Sequence, residues 1–244
     1  MSDFLLLNIG NTHTQSVLAD RAGNFLTPVA VISTDQWMND CNLLPDAAGS
    51  CRVWASCVVP QARELLTSAR KYQHLDWVSA EKARCCGLDF SPVDTSTLGA
   101  DRIANAAAML AYPLPAVNFD CGTAVTMETV NAEQKFIGGA IMPGRRLMRR
   151  SLASGTAALP DIPLTGELPT QLGVNTVQAI TLGIDRGIIG MVKEFIMMNR
   201  NCGITTFLAS GGDADFFCRA IPELQAAGDE FTLRGIWQIA VKHA

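Results

Sequence analysis

Three short segments carry residues able to handle a phosphate chain and an attacking hydroxyl. Near the N-terminus stands Leu5-Leu6-Leu7-Asn8-Ile9-Gly10-Asn11-Thr12-His13-Thr14, and at mid-chain stands Val117-Asn118-Phe119-Asp120-Cys121-Gly122-Thr123-Ala124-Val125-Thr126. Aligning Asn8 on Asp120 superimposes Gly10 on Gly122 and Thr14 on Thr126. Each copy is an apolar run, a polar residue, a Gly-containing turn and a run rich in Thr and Val, the pattern of a β-hairpin whose turn presents backbone N–H groups and hydroxyls. Either turn alone also fits an ordinary hairpin. Two of them, one from each half of a duplicated chain, could grip a polyphosphate from both sides.

The third segment is Leu98-Gly99-Ala100-Asp101-Arg102. Asp101 falls in the first turn expected of a helix, where the dipole favours a carboxylate, and Gly99 lets another group approach the backbone. As an isolated feature this is equally a capping acid beside a surface arginine. Its functional reading pairs a base with a cation: Asp101 takes a proton from an attacking hydroxyl while Arg102 holds an anionic end of the acceptor in its planar fork. Asp120 and Thr123 could hold a cation and a phosphate oxygen, because a carboxylate beside phosphates needs a metal ion to neutralise the charge. Ser210-Gly211-Gly212-Asp213, between a strand and a helix, is either a tight turn or a place where adenosine lies on bare backbone. Gly138-Gly139 and Pro143-Gly144 could line the same cleft. No Gly-x-x-x-x-Gly-Lys-Ser/Thr loop exists, which excludes P-loop chemistry, and neither His13 nor His74 lies near a nucleophile elbow.

These segments need elements to hold them. The pattern predicts a hairpin over 4–19, an extended segment around Phe25 to Ser33, a strand over Val53–Val59 closed by Pro60, a helix over 61–71 and a strand near Leu75 to Val78. Leu98 to Leu110 is the strongest helix, stopped by Tyr112-Pro113-Leu114-Pro115. The domain boundary is placed there, giving domains 1–112 and 113–244. The second begins with a strand over 116–120, its hairpin and a strand near Lys135 to Ile141. A helix with Arg145, Arg146, Arg149 and Arg150 follows, then a Pro/Gly-rich loop from Leu159 to Gly173, a long helix over Asn175–Asn199, a strand over Thr205–Ala209 and a helix over Asp213–Arg219.

Composition narrows the partners. The chain has 244 residues, 48% hydrophobic and 17% charged, with formal net charge −4, so it can bury a large core and has no general affinity for nucleic acid. The four helix arginines read as a solvated or subunit-contact face. No apolar stretch reaches the roughly 18 residues that span a bilayer, so a soluble, cytoplasmic protein without membrane partners is expected. The eight cysteines lack any Cys-x-x-Cys pairing and read as reduced thiols, not a zinc site.

Asn8-Ile9-Gly10-Asn11-Thr12, Leu98-Gly99-Ala100-Asp101-Arg102, Asp120-Cys121-Gly122-Thr123-Ala124, Gly138-Gly139-Ala140-Ile141-Met142-Pro143-Gly144, Asn175-Thr176-Val177-Gln178-Ala179-Ile180 and Gly211-Gly212-Asp213-Ala214, in this order, resemble the type III pantothenate kinases of the actin, heat-shock ATPase and sugar-kinase superfamily. The resemblance covers essentially the whole chain. It implies an α/β fold of two ribonuclease-H-like (actin-like ATPase) domains with an inter-domain ATP cleft, a homodimer, and transfer of the ATP γ-phosphate to the 4′-hydroxyl of pantothenate, the first step of coenzyme A synthesis. It further implies that Asp101 is the catalytic base and that Gly99, Ala100, Asp101 and Arg102 bind pantothenate, with Thr176 contributing across the dimer interface. Asp120 would hold a monovalent cation, potassium or ammonium. Asn8, Gly10, Asn11 and Thr12 would bind the triphosphate with magnesium, and Thr123, Gly211 and Gly212 would complete the ATP site.

One position departs from the family pattern, which has Asp where this chain has Asn8. An amide can donate a hydrogen bond to phosphate but brings no negative charge to hold magnesium. Phe90-Ser91-Pro92-Val93-Asp94 also lacks the Tyr that approaches the pantothenate pocket in the family. The alternatives to an active pantothenate kinase are a catalytically weak nucleotide- or pantothenate-binding regulatory relative, and a sugar or acetate kinase of the same superfamily.

Overall fold

A computed structural model describes residues 3–46, 51–69, 72 and 74–244. The chain forms two compact units that are discontinuous in sequence: Met1–Pro113 with Val130–Gly138 and Glu230–Ala244, and Leu114–Thr129 with Gly139–Asp229.

The first unit is built on β1 (Phe4–Ile9), β2 (His13–Ala19), β3 (Ala30–Ser33), β4 (Arg52–Cys57) and β5 (Leu75–Trp77) in the order β3-β2-β1-β4-β5. β1 pairs antiparallel with β2 and parallel with β4, and β4 pairs parallel with β5. The unbroken apolar run Phe4-Leu5-Leu6-Leu7 suits a central strand buried on both faces, and all four side chains are buried. Around the sheet lie α1 (Thr34–Asn39), α2 (Pro60–Ser68), α3 (Ala80–Ala83) and α4 (Ala100–Met109). The helix expected over 61–71 ends at Ser68; residues 70 and 71 lie outside the described residues.

The second unit repeats the plan. β6 (Ala116–Cys121), β7 (Ala124–Val130), β8 (Phe136–Pro143), β9 (Thr206–Ser210) and β10 (Gln225–Ala226) take the order β10-β9-β6-β7-β8. Read from the other edge, this is the first sheet's order with each strand replaced by its counterpart five places on. The hairpin repeat in the sequence is thus part of a repeated sheet, with the central strand carrying Asn8 in one copy and Asp120 in the other. α5 (Arg145–Gly155), α6 (Thr176–Asn201) and α7 (Ala214–Ala220) accompany this sheet.

Of the extended segment expected around Phe25 to Ser33 only Ala30–Ser33 is a strand, with Phe25 making a single bridge to Ala19, and two larger features also differ from the sequence reading. A helix at Phe231–Val241, α8, joins the first unit, where Phe231, Leu233, Ile236 and Ile239 are buried. It packs so closely on α4 that a β-carbon at Gly235 would stand 1.8 Å from the Ala104 carbonyl oxygen. The small face of α4, with Ala104, Ala107 and Ala108 buried, permits that approach, and Thr232 donates to Asn105 Oδ1 at 2.8 Å.

The arginine helix is the second difference, because Arg145 and Arg149 are not on a solvated face but 2% and 0% exposed. Their four-residue spacing puts both on one side of α5, where Asp185 of α6 accepts hydrogen bonds from each at 2.9 Å. Arg150 is exposed, and Arg146 pairs with Asp161 at 2.8 Å near the surface.

Candidate active site

In the first unit the hairpin turn is fixed from below. Gly10 N–H bonds the His13 carbonyl at 3.0 Å, so this glycine's amide closes the turn, and the exposed groups beyond it belong to Asn11 and Thr12. Thr34, at the start of α1, donates its hydroxyl to the Gly10 carbonyl at 2.7 Å and its N–H to the Thr12 carbonyl at 3.0 Å. Trp37 Nε1 donates to Thr14 Oγ1 at 2.7 Å, completing a buried clasp. Thr34 and Trp37 were not singled out from the sequence. Ser33-Thr34-Asp35 signals a helix start, but nothing local shows that this start grips a turn two strands away. Asn8 is half-buried, and its Nδ2 donates to Gln15 Oε1 across the hairpin at 3.2 Å.

Asp101 stands at the same end of this sheet. β1 and β4 run parallel, and where they finish Val58 N–H bonds the Ile9 carbonyl at 3.1 Å. Gly99 lies against Val58, its β-carbon position 3.7 Å from Val58 Cγ1, and Asp101 follows in the first turn of α4. Asp101 Oδ1 accepts the Arg102 backbone N–H at 2.8 Å. Burial pushes the Asp101 carboxyl above its ordinary range, opposed by that hydrogen bond and by the Arg102 charge. A proton acceptor strengthened by burial, held by its own backbone at the carboxyl ends of parallel strands, is equipped for general-base chemistry. Arg102 extends its guanidinium over the Phe136 ring at 5.9 Å.

In the second unit the turn after Asp120 is enclosed by glycines. Gly122 N–H bonds the Ala124 carbonyl at 2.9 Å, leaving Thr123 exposed, and Gly144 N–H bonds the Thr123 carbonyl at 2.9 Å. A β-carbon at Gly144 would meet the Gly122 oxygen at 2.2 Å. Gly211, at φ +85°, presses on the other side, where a β-carbon would lie 2.4 Å from Asp120 Oδ1 and 2.8 Å from the Cys121 carbonyl oxygen. Asp120, Thr123, Gly211 and Gly212 are therefore brought together. Asp213 then ties the turn down: its N–H bonds the Cys121 carbonyl at 2.9 Å, and its carboxylate takes both Arg145 Nη1 bonds at 2.9 and 3.2 Å. Burial raises the Asp213 carboxyl against the lowering effect of Arg145.

Thr176 occupies a different part of this unit. It is exposed at the first turn of α6, which Asn175 caps by accepting the Gln178 N–H at 3.0 Å. It lines a pocket with Leu152, Leu159, Val174, Ile180 and Ile184.

No cluster of three or more His, Cys, Asp or Glu side chains able to hold a metal ion occurs among the described residues. Asp120 Oδ1 and the Cys121 carbonyl oxygen nonetheless converge beside Gly211, and carboxylate and carbonyl oxygens suit a hard monovalent cation. The first hairpin does not offer magnesium a carboxylate at residue 8, since Asn8 is neutral and its amide is bonded to Gln15. No helix among the described residues is long and apolar enough to cross a membrane.

Comparison with known proteins agrees with this arrangement. The model of the type III pantothenate kinase family matches residues 4–198. A type III pantothenate kinase of Thermus thermophilus is 34% identical over 194 residues, covering 76% of this chain and 74% of the relative. One from Akkermansia muciniphila is 31% identical over 242 residues, covering 96% of each. Among solved structures, a conserved Baf family protein of Campylobacter jejuni superposes with a TM-score of 0.66 at 18% identity, over 97% of this chain and 96% of that one, a likeness of fold alone. With the two repeated sheets, the fold is the two-domain α/β architecture of the actin-like ATPases and sugar kinases. The ordered motifs, the paired hairpins and the match across most of the length have one explanation: the chain belongs to the type III pantothenate kinase family.

Proposed function

We propose that this chain is a cytoplasmic pantothenate kinase, acting as a homodimer, that transfers the γ-phosphoryl group of ATP to the 4′-hydroxyl of pantothenate. The observation that carries this reading is the Asp101 carboxylate, raised by burial and held at the head of α4 by the Arg102 N–H. Asp101 accepts the hydroxyl proton as the oxygen–phosphorus bond forms and the bond from the γ-phosphorus to the bridging oxygen breaks, releasing ADP. Gly99 and Ala100 line the acceptor, Arg102 binds its carboxylate, and Thr176 completes the pocket of the partner subunit. Asn8, Gly10, Asn11 and Thr12 hold the phosphates from one hairpin, while Thr123, Gly211 and Gly212 hold the nucleotide from the other. Asp120 with the Cys121 carbonyl would hold potassium or ammonium, which supplies positive charge beside the phosphates. Magnesium enters with ATP.

Asn8 and its bond to Gln15 favour a second reading, a regulatory relative that binds ATP or pantothenate without turning them over. A coupled assay of ADP release with purified protein, ATP, magnesium, potassium and pantothenate separates the two. Pantothenate-dependent ADP release supports the kinase, whereas binding of both ligands without release supports the regulator.

A further inference from the structure

Asp213 has a conformation that its place in the chain does not explain. It is the N-cap residue of α7, where an aspartate ordinarily accepts a backbone N–H of the first helical turn, yet its side chain caps nothing. The carboxylate turns instead to Arg145, which is 2% exposed. Arg145 is itself immobilised: Nε and Nη2 donate to Asp185 at 2.9 and 3.1 Å, Nη2 also donates to the Thr165 carbonyl at 2.7 Å, and the guanidinium lies 3.4 Å from the Phe216 ring centre. The backbone of Asp213 is anchored separately, through its N–H to the Cys121 carbonyl. One residue thus fixes the end of a turn whose Gly211 lies directly on Asp120.

We propose that Asp213 is a positioning residue for the nucleotide, holding the Gly211–Gly212 turn against Asp120 through its tethers to Arg145 and Cys121. This rests on the proposed role of Gly211 and Gly212 in ATP binding. The forgone helix cap is offset by the fixed turn, and the selected property is the nucleotide's seat, not the stability of a seven-residue helix.

The test is calorimetry with ATP together with steady-state kinetics of Asp213→Ala and Asp213→Asn, each checked for folding by circular dichroism. Losing a charged hydrogen bond should raise the ATP Kd and KM of Asp213→Ala about tenfold, with kcat within about threefold and pantothenate KM unchanged. Asp213→Asn keeps an acceptor for Arg145 and should recover most of the ATP affinity. Unchanged ATP affinity in folded Asp213→Ala overturns the assignment, as does an equal loss for both substrates. Should Asp213→Ala fail to fold, Asp213→Ser, whose short side chain loses the paired oxygens offered to Arg145, decides in its place: an ATP-selective rise upholds the proposal and its absence overturns it. ATP failing to bind the wild-type protein would instead sink the nucleotide reading of the turn itself, and Asp213 with it.

Discussion

Gly99 and Asp101 are fitted to each other: a β-carbon at Gly99 would stand 2.6 Å from Asp101 Oδ1. The backbone of Gly99, at φ −57° and ψ 139°, is open to any residue, so the requirement for glycine is one of space. Gly99→Ala should therefore fold normally and displace the carboxylate. We expect kcat to fall by about 10–100-fold with little change in thermal midpoint, because a base moved by a fraction of an ångström loses its alignment. Unchanged kcat in the coupled assay would show that the carboxylate is not placed by this contact.

Asp101→Asn separates chemistry from stability. Turnover should fall by about 10²–10⁴-fold, the range of a lost general base. The folded-state pKa of Asp101 lies above its ordinary 3.8, so the native state holds this proton more tightly than the unfolded chain and stability declines as pH rises through that window. Removing the charge should leave the thermal midpoint at pH 7 equal or higher. The acid limb of kcat/KM in the wild type should correspondingly fall off above the ordinary carboxylate range. A variant that loses activity and midpoint together would mark Asp101 as structural.

Arg102→Ala should weaken pantothenate binding far more than ATP binding, since its expected partner is the acceptor carboxylate. Calorimetry with each ligand measures this. Equal losses would assign Arg102 to the packing over Phe136 instead.

Asn8→Asp restores a carboxylate at the end of β1 opposite Gln15. If the neutral amide limits metal recruitment, the variant should gain turnover mainly at limiting magnesium, with pantothenate affinity nearly unchanged. A magnesium titration of both forms decides it, and a wild type already saturated at low magnesium would contradict this account of Asn8.

Gly235→Ala should be among the most damaging single methyl additions in the first unit. Its β-carbon would meet the Ala104 carbonyl at 1.8 Å, and two packed helices must part, at a cost of about 1–3 kcal/mol or more. Urea denaturation would register this as a lowered midpoint. An unchanged midpoint would mean that α8 can slide on α4.

The parts of the molecule that were legible in the sequence are those whose signals are local. Phe4–Leu7 and Val117–Phe119 announce central strands by their apolar runs, and Ile103, Ala104, Ala107 and Ala108 announce the buried face of α4. Helix α8 was not legible because Gly235 interrupts its propensity, and the reason for that glycine lies on α4. Arg145 and Arg149 read as a solvated face because their partner, Asp185, stands on another helix. The site follows the same division. Gly99–Arg102 and the two turns were visible as motifs, whereas the clasp by Thr34 and the anchoring of Asp213 by Arg145 are made by pairs distant in sequence.

The return of Glu230–Ala244 to the first unit has a consequence for synthesis on the ribosome. Nascent chains usually complete their N-terminal domain first. Here β1 to β5 emerge early but lack α8, whose Ile236 and Ile239 belong to that unit's core, until translation passes residue 241. Residues Gly139–Asp229 emerge before it and can close the second unit while the first is still waiting. The half of the molecule made first is therefore the half finished last, and a stop codon shortly after residue 230 would damage the unit that carries Asp101 while sparing the one that carries Asp120.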